Sequence, residues 1–284
     1  MTKRGTSSKQ KPAGAGAVMA SRRSPLAALD FFPTPPWATR ALMAHVLGPE
    51  IASSSVWEPA AGGGHMAEVL REGFGALHAS DVHDYGRGYA VGSFVGASRL
   101  PSRAEGAQSG SAGLGPSGPG GEPAGTRGDV GFGLDIAHCP FVPDWVVTNP
   151  PFNLALEFVQ RARQEARRGV AMLVRTAWLE SEGRYSGLFQ KSPPAEVALF
   201  VERVPMVEGR WDPEASTATS YCWVIWDRTR AGPTVLSWIP PGRRSVLTKP
   251  DDVGRFAMVN TEDAPSRRLP AGESEGASKE DAAA

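Results

Sequence analysis

The chain is poor in cysteine and has no long apolar run. Only two of its 284 residues are cysteines, Cys139 and Cys222, and they lie far apart. So few thiols argue against a disulfide framework and a cysteine-ligated zinc site, and they favour a reducing cytoplasm. No stretch of about eighteen consecutive apolar residues exists, so we expect no membrane span. No secretory signal pattern opens the chain.

A bulk charge of one sign is also missing. Lys and Arg number 30 and Asp and Glu number 30, so the net charge does not indicate a nucleic-acid partner. Five histidines are scattered along the chain, and we expect no metal site. Residues 1–29, however, are basic and contain no acidic residue. This composition predicts a disordered basic arm, which either follows phosphates nonspecifically or is a solvated tail.

Two further segments lack the pattern of a folded element. Residues from about 97 to 128 are rich in Gly, Ser and Pro, and residues 251–284 are polar and acidic without periodicity. Neither segment can bury enough apolar surface to offset the entropy lost on ordering. We therefore predict a low-complexity insertion at about 97–128, a disordered acidic tail at 251–284, and one folded domain at 30–250.

The most informative motif is Asn149-Pro150-Pro151-Phe152. It follows the apolar run 145–148, which predicts a buried strand, and two prolines end that strand because neither can donate to a ladder. The corner presents one amide, one carbonyl and one aromatic face. An exocyclic amine on a planar ring needs acceptors for its hydrogens and a flat surface for the ring. The motif supplies both.

A glycine-rich turn after a short strand forms the second candidate site. Glu58 ends the strand and precedes Pro59, Ala60 and the glycines from Gly62 onward, before a predicted helix. Glycines let the backbone approach a ligand at a helix N-terminus. The P-loop signature is absent, and an acidic residue here would repel phosphate and attract a cation.

Two more acidic residues follow predicted strands, and a proline turn lies upstream. Asp81 ends the next strand, where an acid in nucleotide-binding α/β folds accepts hydrogen bonds from ribose hydroxyls. Asp135 follows a later run, 130–134. The segment containing Phe32 and Thr34 precedes a predicted helix with an apolar face.

In this order, the motifs resemble those of class I S-adenosylmethionine-dependent amino-methyltransferases, above all the adenine-N6 DNA methyltransferases of the Asn-Pro-Pro-Phe type, which are often phage-associated. The resemblance covers about residues 30–241, apart from the glycine-rich insertion. It implies that residues 30–250 are a methyltransferase catalytic domain. The implied cofactor-binding residues are Phe32, Thr34, Glu58, Pro59, Ala60, Gly62, Asp81 and Asp135, and the implied catalytic residues are Asn149, Pro150, Pro151 and Phe152.

The resemblance also implies a fold. We expect a Rossmann-like, doubly wound α/β domain with a mostly parallel, seven-stranded sheet and an antiparallel strand or terminal hairpin. Two apolar runs, 221–226 and 234–239, are separated by a short turn with Gly232 and Pro233, and they suggest that hairpin. Residues 89–95 read as the remnant of a crossover helix.

The implied reaction is direct transfer of a methyl group from S-adenosylmethionine to the N6 amino group of a flipped adenine in DNA. No thiol nucleophile follows the prolines, which argues against the cytosine-C5 route. Loops after Phe152 are left to contact DNA, and their candidates are Arg175, Arg184, Arg210 and Trp211. The two early arginines could instead pair with Glu180 and Glu182, and Trp211 could cap the sheet instead of entering a base stack.

Alternatives remain open at this point. Methyltransferases acting on guanine N2 of RNA or on a protein glutamine share related motifs, although they usually carry an additional N-terminal domain. A noncatalytic module that binds cofactor or DNA is a third reading. We expect a cytoplasmic protein, favour a monomer, and suspect a bacterial or phage context.

Overall fold

A single mixed sheet organises the part of the chain that the structure describes. The structure is a computed structural model, and it describes residues 30–96 and 136–256. The strands are β1 (Ser55–Glu58), β2 (Ala76–Asp81), β3 (Ala90–Val91), β4 (Trp145–Thr148), β5 (Gly169–Arg175), β6 (Glu196–Phe200), β7 (Tyr221–Asp227) and β8 (Val235–Ile239). They form one eight-stranded sheet in the order β3-β2-β1-β4-β5-β7-β6-β8. Only β7 runs antiparallel to its neighbours, β5 and β6.

Helices cover both faces of this sheet. The α-helices are α1 (Pro36–Leu42), α2 (Ala67–Leu70), α3 (Ala155–Glu165), α4 (Glu182–Arg184), α5 (Arg243–Leu247) and α6 (Asp252–Phe256). Short π-helices (Met43–Leu47 and Tyr185–Phe189) and 3₁₀-helices (Pro49–Ser53 and Thr176–Leu179) extend or join them. None of the helices among residues 30–96 and 136–256 is long and apolar enough to cross a membrane.

The central strands are apolar on both faces, as expected for a sheet covered by helices on each side. In β4, Trp145 and Val147 pack into one core with α1, and Val146 packs into the other with α3. The side chains of β5 and β7 alternate in the same way. This burial holds the carboxyl ends of β1 and β4 side by side, because the two strands are parallel neighbours.

The predicted fold class is confirmed: the sheet is mostly parallel and contains one antiparallel strand. The predicted terminal hairpin is wrong, because β7 inserts between β5 and β6 while β8 pairs parallel with β6. The predicted helix remnant at 89–95 is also wrong. Residues 90–91 instead form the short edge strand β3 beside β2, which brings the number of strands to eight rather than seven.

The folded domain extends beyond the predicted start of the acidic tail at 251. Helix α6 docks because Asp252 is fully buried and accepts two hydrogen bonds from the Arg40 guanidinium, at 2.6 and 2.7 Å. The same guanidinium donates to Glu72 at 2.8 and 2.9 Å. Burial opposes ionisation of Glu72, but the bonds from Arg40, Lys249 and Arg255 outweigh it and lower the pKa of Glu72 to about 2. Residues 251–256 are therefore part of the domain, since the buried ion pair between Arg40 and Asp252 holds them there.

Three sequence predictions fall on segments that the structure does not describe. The basic arm at 1–29, the low-complexity insertion at about 97–128 and the acidic tail from 257 onward all lie outside the described residues. Asp135 lies outside them as well.

Candidate functional site

The glycine turn after β1 is packed too closely for side chains. Gly62 and Gly64 have positive φ angles of 51° and 84°. A Cβ atom on Gly62 would lie 2.6 Å from the ring of Phe31, and one on Gly64 would clash with the hydroxyl of Tyr89. Both positions therefore require glycine for conformational and for steric reasons.

Glu58 lies at the carboxyl end of β1, and one of its carboxyl oxygens lacks a partner among the described residues. Its side chain is almost completely buried, and Oε2 has no hydrogen-bond partner within the described part of the chain. Burial, reinforced by the negative charges of Asp81 and Glu68, raises the pKa of Glu58 well above its ordinary value of 4.5. A buried carboxylate without a partner is costly, so this position favours a cationic ligand.

Asp81 lies at the carboxyl end of β2, the neighbour of β1. Its Oδ2 accepts a hydrogen bond from the backbone N–H of Gly62 at 2.8 Å, and Oδ1 accepts one from His83 at 3.0 Å. Burial raises the pKa of Asp81, although these two bonds oppose the shift. Each carboxylate oxygen retains acceptor capacity, because a carboxylate offers about four lone-pair sites.

Asn149 follows β4 and is held by the upstream segment. Its Nδ2 donates to the carbonyl of Phe32 at 2.9 Å and lies 3.6 Å from the sulfur of Met206. Its Oδ1 is buried and has no partner among the described residues. Because the amide nitrogen must face the Phe32 carbonyl, the orientation of the amide is determined, and the oxygen is the atom left for a ligand.

The aromatic face at the corner is covered by Arg175 rather than open. The Arg175 guanidinium carbon lies 3.8 Å from the centroid of the Phe152 ring, which is a cation–π contact. Met172 in β5 lies opposite Thr148 in β4. Arg175 is therefore level with the two prolines, and its side chain reaches over Phe152. The Phe32 ring lies at 5.1 Å from the Phe152 ring, tilted by 48°.

The structure brings most of the predicted site residues to one edge of the sheet. Glu58, Asp81 and Asn149 end or follow three adjacent parallel strands, and Phe32 bonds directly to Asn149. Thr34 is buried immediately before α1, while Pro59 is buried and Ala60 half-buried in the glycine turn. The roles predicted for these residues towards a cofactor stay predictions.

The four residues predicted to contact nucleic acid lie in different environments. Arg184 donates to the backbone carbonyls of Trp178 and Glu180, and it forms no ion pair with Glu180 or Glu182 among the described residues. Arg210 is exposed and pairs with Asp212 at 3.3 Å. Trp211 is only 5% exposed and packs in one cluster with Val69 and Phe256, so it belongs to the core and cannot enter a base stack.

Two features of this site were not predicted from the sequence. One is the carbonyl of Phe32 as the anchor of Asn149, because Phe32 was predicted only as a cofactor-binding residue. The other is the stacking of Arg175 on Phe152. The one available signal for the second was that Arg175 ends β5, the strand beside β4. Within residues 30–96 and 136–256, no group of three or more His, Cys, Asp or Glu side chains could hold a metal ion.

Comparisons with known proteins give structural likenesses only. No protein-family model and no curated protein matches the sequence. A proposed modification subunit of a type I restriction enzyme from Vibrio vulnificus has 14% identity and a TM-score of 0.42, over 79% of this chain and 51% of that chain. This chain thus spans about half of that protein.

Two further solved structures are similar at the same level. A proposed class I S-adenosylmethionine-dependent methyltransferase from Listeria monocytogenes has 12% identity and a TM-score of 0.44, over 80% of this chain and 70% of that one. The M protein of the type I restriction enzyme EcoKI has 12% identity and a TM-score of 0.40, over 68% of this chain and 43% of that one. Methyltransferases are therefore among the structures that this chain resembles.

Proposed function

We propose that this protein transfers a methyl group from S-adenosylmethionine to the N6 amino group of adenine in DNA. The observation that carries the proposal is the Oδ1 atom of Asn149. It is a buried acceptor without a partner in the described chain, and it lies on an amide whose nitrogen is already anchored to Phe32. Such an acceptor is suited to the hydrogens of an amine.

The residues at the carboxyl ends of β1 and β2 fit the cofactor. S-adenosylmethionine carries an ammonium and a sulfonium, and the unsatisfied Glu58 carboxyl would gain a favourable charge partner from either. Asp81, held by the N–H groups of Gly62 and His83, retains lone pairs for a ribose hydroxyl pair. The positive φ of Gly62 lets the turn after β1 place its N–H on the Asp81 carboxylate.

The corner residues would orient the target amine. The amino group would donate to Asn149 Oδ1 and to the carbonyl of Pro150, and these bonds would direct the nitrogen lone pair towards the methyl group. The bound cofactor supplies that electrophilic methyl group. The N–C bond would form as the S–C bond breaks, S-adenosylhomocysteine would leave, and the methylated amine would release one proton to water. Proximity and orientation are what the corner residues would contribute.

The target base would stack on Phe152 after leaving the duplex. A base inside a helix cannot reach the corner, and flipping it costs a few kcal/mol. The Arg175 guanidinium now lies on the Phe152 ring at 3.8 Å, which is a stacking distance. The incoming base would displace it, and the released charge would be available for a phosphate of the same strand.

Asn149→Ala tests the proposal, with Asn153→Ala as the matched control. Asn153 is exposed and lies four residues after Asn149. Asn153→Ala therefore removes the same kind of side chain without disturbing the amide that is bonded to Phe32. The purified variants are incubated with methyl-labelled S-adenosylmethionine and separate pools of DNA, RNA and protein, and nucleosides and amino acids are identified by mass spectrometry. Wild type and Asn153→Ala should form N6-methyladenine in DNA, whereas Asn149→Ala should bind the cofactor and form none.

Other outcomes separate the parts of the proposal. Label in N2-methylguanine of RNA or in a protein glutamine would refute the substrate and retain methyl transfer at this corner. Cofactor binding without labelling of any pool would instead favour a noncatalytic binding protein. Equal activity of wild type and Asn149→Ala would contradict the role of the amide.

A further inference from the structure

A second charged site lies at the opposite edge of the sheet. A cavity of about 230 Å³ opens beside Gly169, the first residue of β5, and Asp227, the last residue of β7. Arg175 ends β5, six residues further on. At about 3.3 Å per residue, the cavity is therefore about 20 Å from the Asn149 corner. It is separate from the proposed catalytic site.

The lining of this cavity carries an excess of positive charge. Its charged residues are Arg163, Arg228, Arg230 and Asp227. Asp227 is buried, accepts bonds from the backbone N–H and hydroxyl of Thr229, and lies 3.5 Å from Arg230. Arg230 also pairs with Glu196. The one carboxylate of the lining is thus already engaged by its neighbours.

Two of the arginines have no acidic partner in the described part of the chain. The Arg228 guanidinium donates to the backbone carbonyl of Arg163 at 2.6 Å, and the half-buried Arg163 side chain forms no ion pair among the described residues. Burial, together with the charge of Arg228, lowers the pKa of Arg163. Both arginines line the same cavity, so an anion bound between them would offset the repulsion of the two like charges.

We propose that this cavity binds a phosphate group through Arg163 and Arg228. Two guanidinium groups can each offer a fork of N–H donors, which matches the oxygens of phosphate better than those of chloride. The volume is below the usual range for pockets that hold a whole drug-sized ligand. It suits one phosphoryl group, either free inorganic phosphate or a single phosphate of a nucleic-acid backbone, with Pro193 and Pro194 forming an apolar wall.

The double variant Arg163→Gln/Arg228→Gln tests the site, with Arg167→Gln as the control. Arg167→Gln removes one positive charge from the same edge of the sheet, but Arg167 pairs with Asp144 and does not line the cavity. Inorganic phosphate is titrated calorimetrically at constant ionic strength, with chloride as the replaced anion. Wild type and Arg167→Gln should bind phosphate, and the double variant should bind it at least tenfold more weakly.

A second titration separates the two sources of phosphate. If the site takes a backbone phosphate, a single-stranded oligonucleotide should bind the double variant less tightly, with a shallower dependence on salt, while inorganic phosphate binds wild type weakly. Arg228→Lys keeps the charge and loses the fork of donors, so its affinity should lie between those of wild type and the double variant. This conservative variant keeps the test valid if the double variant misfolds. Equal binding of both probes by wild type and the double variant, or binding of neither by wild type, would overturn the proposal.

Discussion

Replacing Glu58 by Gln should stabilise the ligand-free protein and weaken cofactor binding at the same time. The carboxyl is buried, Oε2 has no partner among the described residues, and Asp81 and Glu68 add negative charge. A neutral amide of the same shape removes the buried charge. It also removes the charge that the proposed cofactor would pair with.

The magnitude depends on pH in a direction that the pKa shift determines. Because the pKa of Glu58 is raised above its ordinary value of 4.5, the wild-type protein has its full stability below that pH and loses stability as the pH rises towards the raised pKa. Glu58→Gln does not titrate. The free energy of unfolding of Glu58→Gln should therefore equal that of wild type at pH 4 and exceed it by about 1–3 kcal/mol at pH 8, which is the cost of an unsatisfied buried group.

Thermal melting and calorimetry measure the two effects. For a domain of this size, 1 kcal/mol shifts Tm by about 2–4 °C, so a gain at pH 8 is readily measured. Affinity for S-adenosylmethionine should fall by roughly 10- to 150-fold, since a bond to a charged group contributes about 1.5–3 kcal/mol. The control is Glu214→Gln, because Glu214 is exposed. A gain that does not depend on pH, or unchanged affinity, would refute the reasoning.

Two further predictions concern the stacking face and a buried histidine. Phe152→Ala should weaken binding of an adenine-containing single strand by about 1–3 kcal/mol while Phe152→Tyr retains it, and equal binding by all three proteins in a filter or fluorescence assay would exclude stacking. Burial, with the charge of Arg87, lowers the pKa of His65 to about 4, although its bond to Phe256 opposes the shift. Stability should fall by about 2 kcal/mol as pH drops from 7 to 5, because the unfolded histidine protonates first. His65→Gln should lose most of that dependence in thermal melts.

The strand positions and most of the site were predictable from local sequence. Continuous apolar runs without polar alternation, such as 145–148, indicate strands buried on both faces. Prolines or glycines that follow such a run indicate where the strand ends. Since the carboxyl ends of parallel strands share one edge, the predicted strand ends at Glu58, Asp81 and Asn149 place these residues together in the fold. These inferences needed only chain order and residue type.

Long-range pairing was the part that local sequence could not supply. The runs that form β7 and β8 look like a hairpin, because a short turn separates them. Which strand β7 pairs with depends on tertiary packing of its two apolar faces, and it pairs with β5 and β6 instead. The docking of α6 depends in the same way on Arg40, which lies more than two hundred residues earlier. For Trp211 the sequence left two alternatives open, because an aromatic residue in a polar loop gives no local sign of the core beneath it, and the structure places it in that core.

Two acidic residues on neighbouring strands, one at the amino edge of the sheet and one at the carboxyl edge, differ in how fully they are paired. Asp144 precedes β4 at the amino edge, where its carboxylate accepts bonds from the Ser55 N–H and hydroxyl and pairs with Arg167. Burial opposes its ionisation, but these partners outweigh burial and lower the pKa of Asp144. Glu58 ends the adjacent strand β1 at the carboxyl edge, is more deeply buried, and has a raised pKa. The same fold thus satisfies one acid internally and leaves the other short of a partner. Since stability alone would favour pairing both, the unsatisfied oxygen at the carboxyl edge is the point at which we propose that a cation binds.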